Sequence, residues 1–384
     1  MPLLDILNAA RPRKLLAIDG GGIRALLSIE VLARIEHLAR TAYGNEHLVL
    51  ADCFDYFAGT STGAIIATLL ATGATVDDIR DLYVHIGPLM FSHARLSERL
   101  RFRYDDEPLA RMLKQRLGAD TTLGGELVKT LLLLILRDAT TDSPWPISNN
   151  PGASFNQPDS PTCNLRFPLW QLVRASTAAP LYFPPEVIAV GGIEHVFIDG
   201  GLTPFANPAF QLFLMATVDR YNLGWPIGED RMLLVSLGTG STSGARAGLH
   251  PREMNLLYQA GAIPHALLSA ANIEQDMLCR VFGRCRFGDV IDSEIGDLIG
   301  SRGPLERKLF TYLRYDIELS RASLDALGLG HIQPSIFAHL DSIAGIPELQ
   351  EVGRALATKV TSAHFGGFFP ESPTSTTPDR PAPP

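Results

Sequence analysis

The chain has 384 residues, of which 46% are hydrophobic and 19% are charged, with a formal net charge of −8 and a pI of about 5.7. Such a chain can bury a large core, and its acidic balance excludes a global positive field that would attract nucleic acid or anionic lipid. Residues 1–14 lack the apolar core of a secretory signal, and no apolar run approaches the roughly 20 residues that span a bilayer. We therefore expect a cytoplasmic protein whose contact with a membrane surface, if any, is local and transient.

The cysteines indicate neither a disulfide framework nor a metal site. There are four of them, and they are scattered along the chain without histidines at metal-ligand spacing: Cys53, Cys163, Cys279 and Cys285. We predict reduced thiols, no metal and no cofactor.

A glycine-rich turn follows the first predicted strand. The apolar run Lys14–Ile18 leads directly into Asp19–Arg24 (DGGGIR), and apolar residues then recur at helical spacing over 26–38. Consecutive glycines allow backbone N–H groups to turn toward a ligand, so this strand-to-helix turn suits an anion or a developing oxyanion. A tight turn without any ligand remains an alternative.

A dinucleotide site is a second alternative for the same turn. Gly20, Gly22 and Ala25 fit the permissive form of the dinucleotide fingerprint, and Glu46 and Asp52 lie roughly where a ribose-binding acid is sought. The carboxylate just before the glycines argues against a pyrophosphate there.

The second motif is Gly59–Gly63 (GTSTG), which lies between the strand-like run Phe54–Ala58 and the helix-like run Ala64–Leu70. A serine on a tight strand-to-helix turn exposes its hydroxyl beside a helix N-terminus, where N–H groups and the helix dipole favour negative charge. Ser61 therefore occupies the position of a nucleophile.

The middle of the chain continues this alternation. The pattern predicts helices over 77–83 and 108–117, a buried strand over 127–136 and a helix over 169–177. Arg99, Arg101 and Arg103 alternate with apolar residues, which indicates a solvated face or, alternatively, a strip that touches lipid headgroups. Residues 142–167 are rich in Pro, Asn, Ser and Asp, which predicts a long loop that is either a lid or an insertion.

The third motif is Asp199–Gly201, directly after the predicted strand His195–Ile198. An acid at the carboxyl end of a strand lies where open α/β sheets place catalytic groups. A further buried strand, Met232–Leu237, also ends in glycines, and the repetition of strand, turn and helix predicts one parallel sheet. The pattern then predicts a helical C-terminal annex over 246–363 and a disordered tail over 365–384.

An ester hydrolase needs a nucleophile, a base and an oxyanion hole. Ser61 and the glycine turn supply the first and the last, whereas the base stays open at this point. In the order serine, acid, histidine, a histidine after Asp199 is required, and His250 and His265 are the candidates.

The ordered triplet DGGGIR, GTSTG and DGG resembles the three signatures of patatin-like phospholipases over about residues 14–240. The resemblance implies a three-layer α/β/α fold with a mostly parallel central sheet, a modified α/β-hydrolase, with a catalytic domain over 12–245. It implies a dyad of Ser61 as nucleophile and Asp199 as base, without metal. The remaining positions that it assigns are the oxyanion-hole glycines Gly20, Gly21 and Gly22, and the supporting residues Arg24, Gly59, Thr60, Thr62, Gly63, Gly200 and Gly201.

The function that follows from the resemblance is a serine lipid acyl hydrolase of the phospholipase A or lysophospholipase type, which cleaves fatty acyl esters through an acyl-enzyme. The alternatives are a non-catalytic or nucleotide-binding α/β module, and a Ser-His-Asp esterase that uses His250. Ala25 departs from the family pattern, which usually has glycine there. Arg24 either anchors the loop by pairing with a carboxylate, which we favour, or meets an anionic headgroup.

Overall fold

The computed structural model describes residues 6–7, 10–90, 102–242 and 256–371, with side chains described from residue 266 onward in the last range. These residues form a nine-stranded sheet with helices on both faces. The strands are β1 (Arg13–Ile18), β2 (Tyr56–Thr60), β3 (Leu131–Asp138), β4 (Ser143–Ser148), β5 (Glu186–Val190), β6 (Ile193–Asp199), β7 (Met232–Leu237), β8 (Arg284–Phe287) and β9 (Thr311–Tyr315). The described helices are α1 (Ala25–Tyr43), α2 (Thr62–Ala71), α3 (Val76–Met90), α4 (Glu107–Leu117), α5 (Leu169–Ser176), α6 (Ala209–Thr217), α7 (Leu256–Phe282), α8 (Arg321–Ala326) and α9 (Ile346–Ala357).

The sheet separates two hydrophobic cores. Along β1, Leu16 and Ile18 belong to one core whereas Leu15 and Ala17 belong to the other, as the alternation of side chains along a strand requires. Helices α1–α5, α8 and α9 cover the first face, and α6 and α7 cover the second. The predicted three-layer α/β/α architecture is confirmed.

Six strands form a parallel sheet in the order β3, β2, β1, β7, β9, β8. The carboxyl ends of these strands therefore lie along the same edge of the sheet, where ligands bind in open α/β folds. The strands predicted from the runs at Lys14–Ile18 and Met232–Leu237 are confirmed.

Within the described ranges, no helix combines the length and apolar character needed to cross a membrane.

The two edges of β3 carry different neighbours. β4 pairs with residues 133–138 of β3 along one edge. β2 pairs with residues 131–135 and β6 with residues 136–138, so both must lie along the opposite edge. Because β2 runs parallel to β3 and β6 runs antiparallel to it, the carboxyl end of β2, at Thr60, meets the carboxyl end of β6, at Asp199.

Several predictions about elements are corrected. β6 runs antiparallel to β3, whereas the repetition of strand, turn and helix predicted a parallel strand. The predicted loop 142–167 contains β4, in which Pro144 and Pro146 are tolerated because β4 pairs with one neighbour only. The C-terminal region is helical in part, but it also contributes β8 and β9 to the sheet; both strands are short and contain arginines, which weakened their apolar pattern.

The start of the predicted disordered tail is also corrected. Phe365 and Phe368 are buried in the first core, and Phe365 stacks on Phe369 with ring centroids 4.6 Å apart. Burial of these aromatic rings outweighs the Pro, Ser and Thr content of the segment. Residues 372–384 lie outside the described residues.

Candidate active site

Ser61 lies on a strained turn between β2 and α2. Its φ of 54° and ψ of −127° are rare for a residue with a side chain, and such strain persists only where the surroundings impose it. The flanking glycines make the turn possible: a Cβ on Gly59 would lie 2.2 Å from the Gly63 carbonyl oxygen, and one on Gly63 would lie 2.4 Å from the Ile18 carbonyl oxygen. Backbone packing thus requires the two glycines of GTSTG, which flank a partly exposed serine.

Asp199 is the hydrogen-bond partner of Ser61. The Ser61 hydroxyl donates to Asp199 Oδ2 at 2.6 Å, and the Gly201 N–H donates to Asp199 Oδ1 at 2.6 Å. The side chain is buried, and burial raises the pKa of Asp199 from its ordinary 3.8 to about 6, although the two hydrogen bonds and the positive charge of Arg174 oppose the rise. A carboxylate with this pKa is a far better base than one in water.

The junction between β2 and β6 holds the two side chains together. Beyond Thr60, the Ile135 carbonyl oxygen of β3 accepts a hydrogen bond from Ser176 Oγ at 2.7 Å, and Ser176 Oγ accepts one from the Ser61 N–H at 3.0 Å. On the β6 side, a Cβ on Gly200 would lie only 2.0 Å from the same Ile135 oxygen. The chain can turn there only because residue 200 is glycine.

The glycine turn after β1 borders the serine, and its N–H groups differ in availability. The Gly20 N–H donates to the Ala206 carbonyl at 3.2 Å, and the Gly21 N–H makes a long bond of 3.3 Å to Thr62 Oγ1. The N–H groups of Gly22 and of Thr62, the first residue of α2, have no acceptor among the described residues. These two groups, together with Gly21, are the candidates for holding an oxyanion.

Comparison with known proteins assigns the family. The family model described as patatin-like phospholipase matches residues 16–213, which is more than half of the chain. The chain belongs to the patatin-like phospholipase family. It is 29% identical over 247 residues to patatin-17 of Solanum cardiophyllum, a match that covers 59% of this chain and 60% of that protein. Patatin-2-Kuras 4 of Solanum tuberosum is 29% identical over 245 residues, covering 59% and 62%.

The chain therefore spans about three fifths of the length of the patatins that it matches. Among solved structures, VipD from Legionella pneumophila aligns with 93% of this chain and 68% of that one, at 13% identity and a TM-score of 0.42.

Arg24 belongs to the patatin-like glycine loop, and the sequence suggested that it anchors this loop by pairing with a carboxylate. Arg24 makes no ion pair with any described carboxylate, and its buried Nε has no hydrogen-bond partner. Burial lowers the pKa of Arg24 to about 10, and the negative charge of Asp316 opposes this only partly. Asp316, which contributes that charge, is paired with Arg314 at 2.6 Å. The carboxylate anchor of Arg24 therefore has no partner among the described residues and stays a prediction.

The supporting residues of the patatin-like motifs have identifiable contacts. Thr60 Oγ1 donates to the Phe205 carbonyl at 2.7 Å, and the Thr62 carbonyl accepts from the Tyr83 hydroxyl at 2.7 Å. Ala25, which replaces the usual glycine, is a buried residue with helical φ and ψ at the start of α1. Its methyl group therefore continues the helix.

The described residues bear on only some of the alternative functions. His250 lies outside the described residues, and the side chain of His265 is not described. Asp52, a candidate ribose ligand, accepts a hydrogen bond from the nearby Val49 N–H at 3.0 Å. The four cysteines are buried and unpaired.

The segment in which arginines alternate with apolar residues adjoins the turn that follows α5. Arg99 and Arg101 lie outside the described residues, but Arg103 pairs with Asp341, with Nη1 2.9 Å from Oδ2. The Arg103 N–H donates to the Leu181 carbonyl at 3.0 Å.

Sequence reasoning did not identify Ser176 or Arg314 as parts of the site. The only sequence signal for Arg314 was its position as an arginine inside the short apolar run of β9, and Ser176 had none.

Proposed function

We propose that this chain is a serine lipid acyl hydrolase of the phospholipase A or lysophospholipase type, with Ser61 as nucleophile and Asp199 as base. The observation that carries the proposal is the 2.6 Å hydrogen bond from Ser61 Oγ to Asp199 Oδ2, made from a strained strand-to-helix turn. Membership of the patatin-like phospholipase family supports the same chemistry.

The geometry supports a two-step mechanism. As Ser61 Oγ attacks the acyl carbonyl carbon, its proton passes to Asp199 Oδ2, and the carbonyl oxygen becomes an oxyanion. The N–H groups of Gly21, Gly22 and Thr62 then donate to that oxygen. Protonated Asp199 returns the proton to the leaving alkoxide, which departs as an alcohol. Asp199 then takes a proton from a water molecule as that water attacks the acyl-enzyme, and it passes the proton to Ser61 Oγ as the free fatty acid leaves.

The surface around the site is suited to an apolar substrate. Leu181 is 80% exposed and lies in the segment whose Ala178 carbonyl accepts the Asp199 N–H at 3.0 Å. Leu202 directly follows the DGG motif, and Leu340, whose carbonyl accepts the Ile23 N–H of the glycine loop, is also exposed. Exposed apolar side chains next to a catalytic pair favour acyl chains and transient contact with a lipid surface.

The test is release of fatty acid from mixed phospholipid vesicles in the presence of a chelator. We expect Ser61→Ala to abolish turnover and Asp199→Asn to reduce it by about 10²–10⁴, the usual contribution of a general base. Asp142→Asn is the matched control, because Asp142 is an exposed carboxylate whose side chain is 84% accessible. His250→Ala should retain activity; loss in that variant would instead support a triad esterase.

A fluorophosphonate probe separates the catalytic proposal from the non-catalytic alternative. Covalent labelling of the wild type, absent in Ser61→Ala, is expected because the probe reacts only with an activated serine. If the folded wild type neither releases fatty acid nor labels, the chain is a non-catalytic member of its family.

A further inference from the structure

A buried ion pair lies directly beneath the glycine loop. Asp19, the last residue before the glycines, is 2% exposed, and its carboxylate binds both terminal nitrogens of the Arg314 guanidinium. The two N···O distances are 3.1 Å for Oδ1 and 2.7 Å for Oδ2. Such bidentate pairing fixes the orientation of a carboxylate as well as its position.

Arg314 is itself held rigidly. It projects from β9, is 4% exposed, and donates further hydrogen bonds to Ser236 Oγ at 2.7 Å and to Asp316 Oδ2 at 2.6 Å. Asp316 Oδ1 in turn accepts the Gly240 N–H at 3.0 Å. β9 lies beyond residues 16–213, so this support comes from outside the part of the chain that the family model matches.

The glycine loop has little freedom to move relative to this support. The Thr239 hydroxyl donates to the Gly20 carbonyl at 3.0 Å, and it occupies the space where a Cβ on Gly21 would lie. On the other side, a Cβ on Gly20 would lie 3.1 Å from Ser61 Cβ. A small rotation at Asp19 is therefore transmitted directly to the N–H groups beside Ser61.

We propose that Arg314 is a positioning residue for the oxyanion loop: by clamping Asp19, it aims the Gly21 and Gly22 N–H groups at the carbonyl oxygen of the substrate. This inference rests on the proposed function. It makes β9 part of the catalytic unit, whereas Arg314 itself touches neither Ser61 nor Asp199 in the structure.

The test compares an oxygen ester with the matching thionoester, in which the carbonyl oxygen is replaced by sulfur. Sulfur accepts hydrogen bonds poorly, so an enzyme that depends on oxyanion donors prefers the oxygen ester. Arg314→Lys keeps the positive charge but cannot form the bidentate hydrogen bonds of a guanidinium. In this variant we expect kcat for the oxygen ester to fall at least about tenfold with little change in KM. The thionoester rate should fall much less, so the preference for oxygen shrinks.

Two further variants keep the test decisive. Arg280→Lys is the matched control, since Arg280 is also buried and bidentate, to Asp276 at 3.0 and 2.7 Å, but does not contact the loop; its preference should match the wild type. Asp19→Asn removes the carboxylate that pairs with Arg314, whereas Arg314 still pairs with Asp316, so this variant is expected to fold. It should show the same reduced preference for the oxygen ester. The proposal would be overturned if folded Arg314→Lys or Asp19→Asn preferred the oxygen ester over the thionoester as strongly as the wild type does.

Failure of the proposed function is recognised separately. If the wild type hydrolyses no ester, hydrogen–deuterium exchange of the peptide covering Gly20–Gly22 still reports on the clamp without turnover. Faster exchange there in Arg314→Lys, with β2 unchanged, is expected; unchanged exchange would overturn the positioning role.

Discussion

Asp199→Asn should increase stability while it strongly lowers activity, and the gain in stability should grow with pH. Asparagine has the same shape as aspartate, and its Oδ1 can accept from the Gly201 N–H while its amide donates to Ser61 Oγ, so both hydrogen bonds persist in altered form. What the variant removes is the free energy needed to ionise a carboxyl group that the fold has buried.

The magnitude follows from the pKa of Asp199, which burial raises from 3.8 to about 6. A carboxyl group whose pKa is higher in the folded state than in the unfolded state costs no folding free energy well below pH 3.8, because it is neutral in both states there. As pH rises, the unfolded chain ionises first, so the folded state is progressively disfavoured. The penalty is about 1.5 kcal/mol at pH 5 and reaches about 3 kcal/mol at pH 8.

The assay is urea unfolding of the wild type, Asp199→Asn and the exposed-carboxylate control Asp142→Asn at several pH values between 5 and 8. The difference in free energy of unfolding between Asp199→Asn and the wild type should rise by about 1.5 kcal/mol over this range. Any constant offset from altered hydrogen bonds cancels in that rise. A difference that does not change with pH, or that decreases, would refute the reasoning that Asp199 is a poorly solvated base.

Three other outcomes are expected at the same site. Because Asp199 must be ionised to act as base, wild-type kcat/KM should fall about tenfold per pH unit below about pH 6. Gly200→Ala should abolish turnover, since the added Cβ would lie 2.0 Å from the Ile135 oxygen, whereas Gly366→Ala, with 3.4 Å to its nearest atom, should not. Ser176→Ala should lower the free energy of unfolding by about 1–3 kcal/mol and reduce kcat, because it leaves the Ile135 oxygen and the Ser61 N–H unpaired.

Each of these outcomes can fail in a specific way. A pH–rate profile that is flat from pH 7 to pH 5 would mean that Asp199 is not the group whose ionisation limits turnover. Full activity of Gly200→Ala would show that the junction between β2 and β6 relaxes easily. Unfolding of Ser176→Ala at the wild-type urea concentration would show that the bridging hydroxyl is not needed to satisfy the two backbone groups.

The sequence by itself determined the local chemistry. The order DGGGIR, GTSTG and DGG indicated the family, and the apolar runs at Lys14–Ile18 and Met232–Leu237 predicted central strands that the structure confirms. The constraint on Gly59 is local, because a Cβ there would meet the backbone of Gly63 in the same turn, whereas Gly63 packs against the Ile18 carbonyl oxygen of the neighbouring strand β1. The catalytic roles of Ser61 and Asp199 stay predictions until they are tested by activity.

Only the tertiary structure decided how distant segments meet. The direction of β6 and its end-to-end meeting with β2 depend on the register along β3, which no local pattern encodes. Ser176 and Arg314 form hydrogen bonds with residues that lie 115 and 295 positions away in the chain, Ser61 and Asp19. Hydrophobic periodicity reports which side of an element is buried, whereas the contact between two polar groups depends on how whole elements pack, and this is why the support beneath the glycine loop emerged only from the fold.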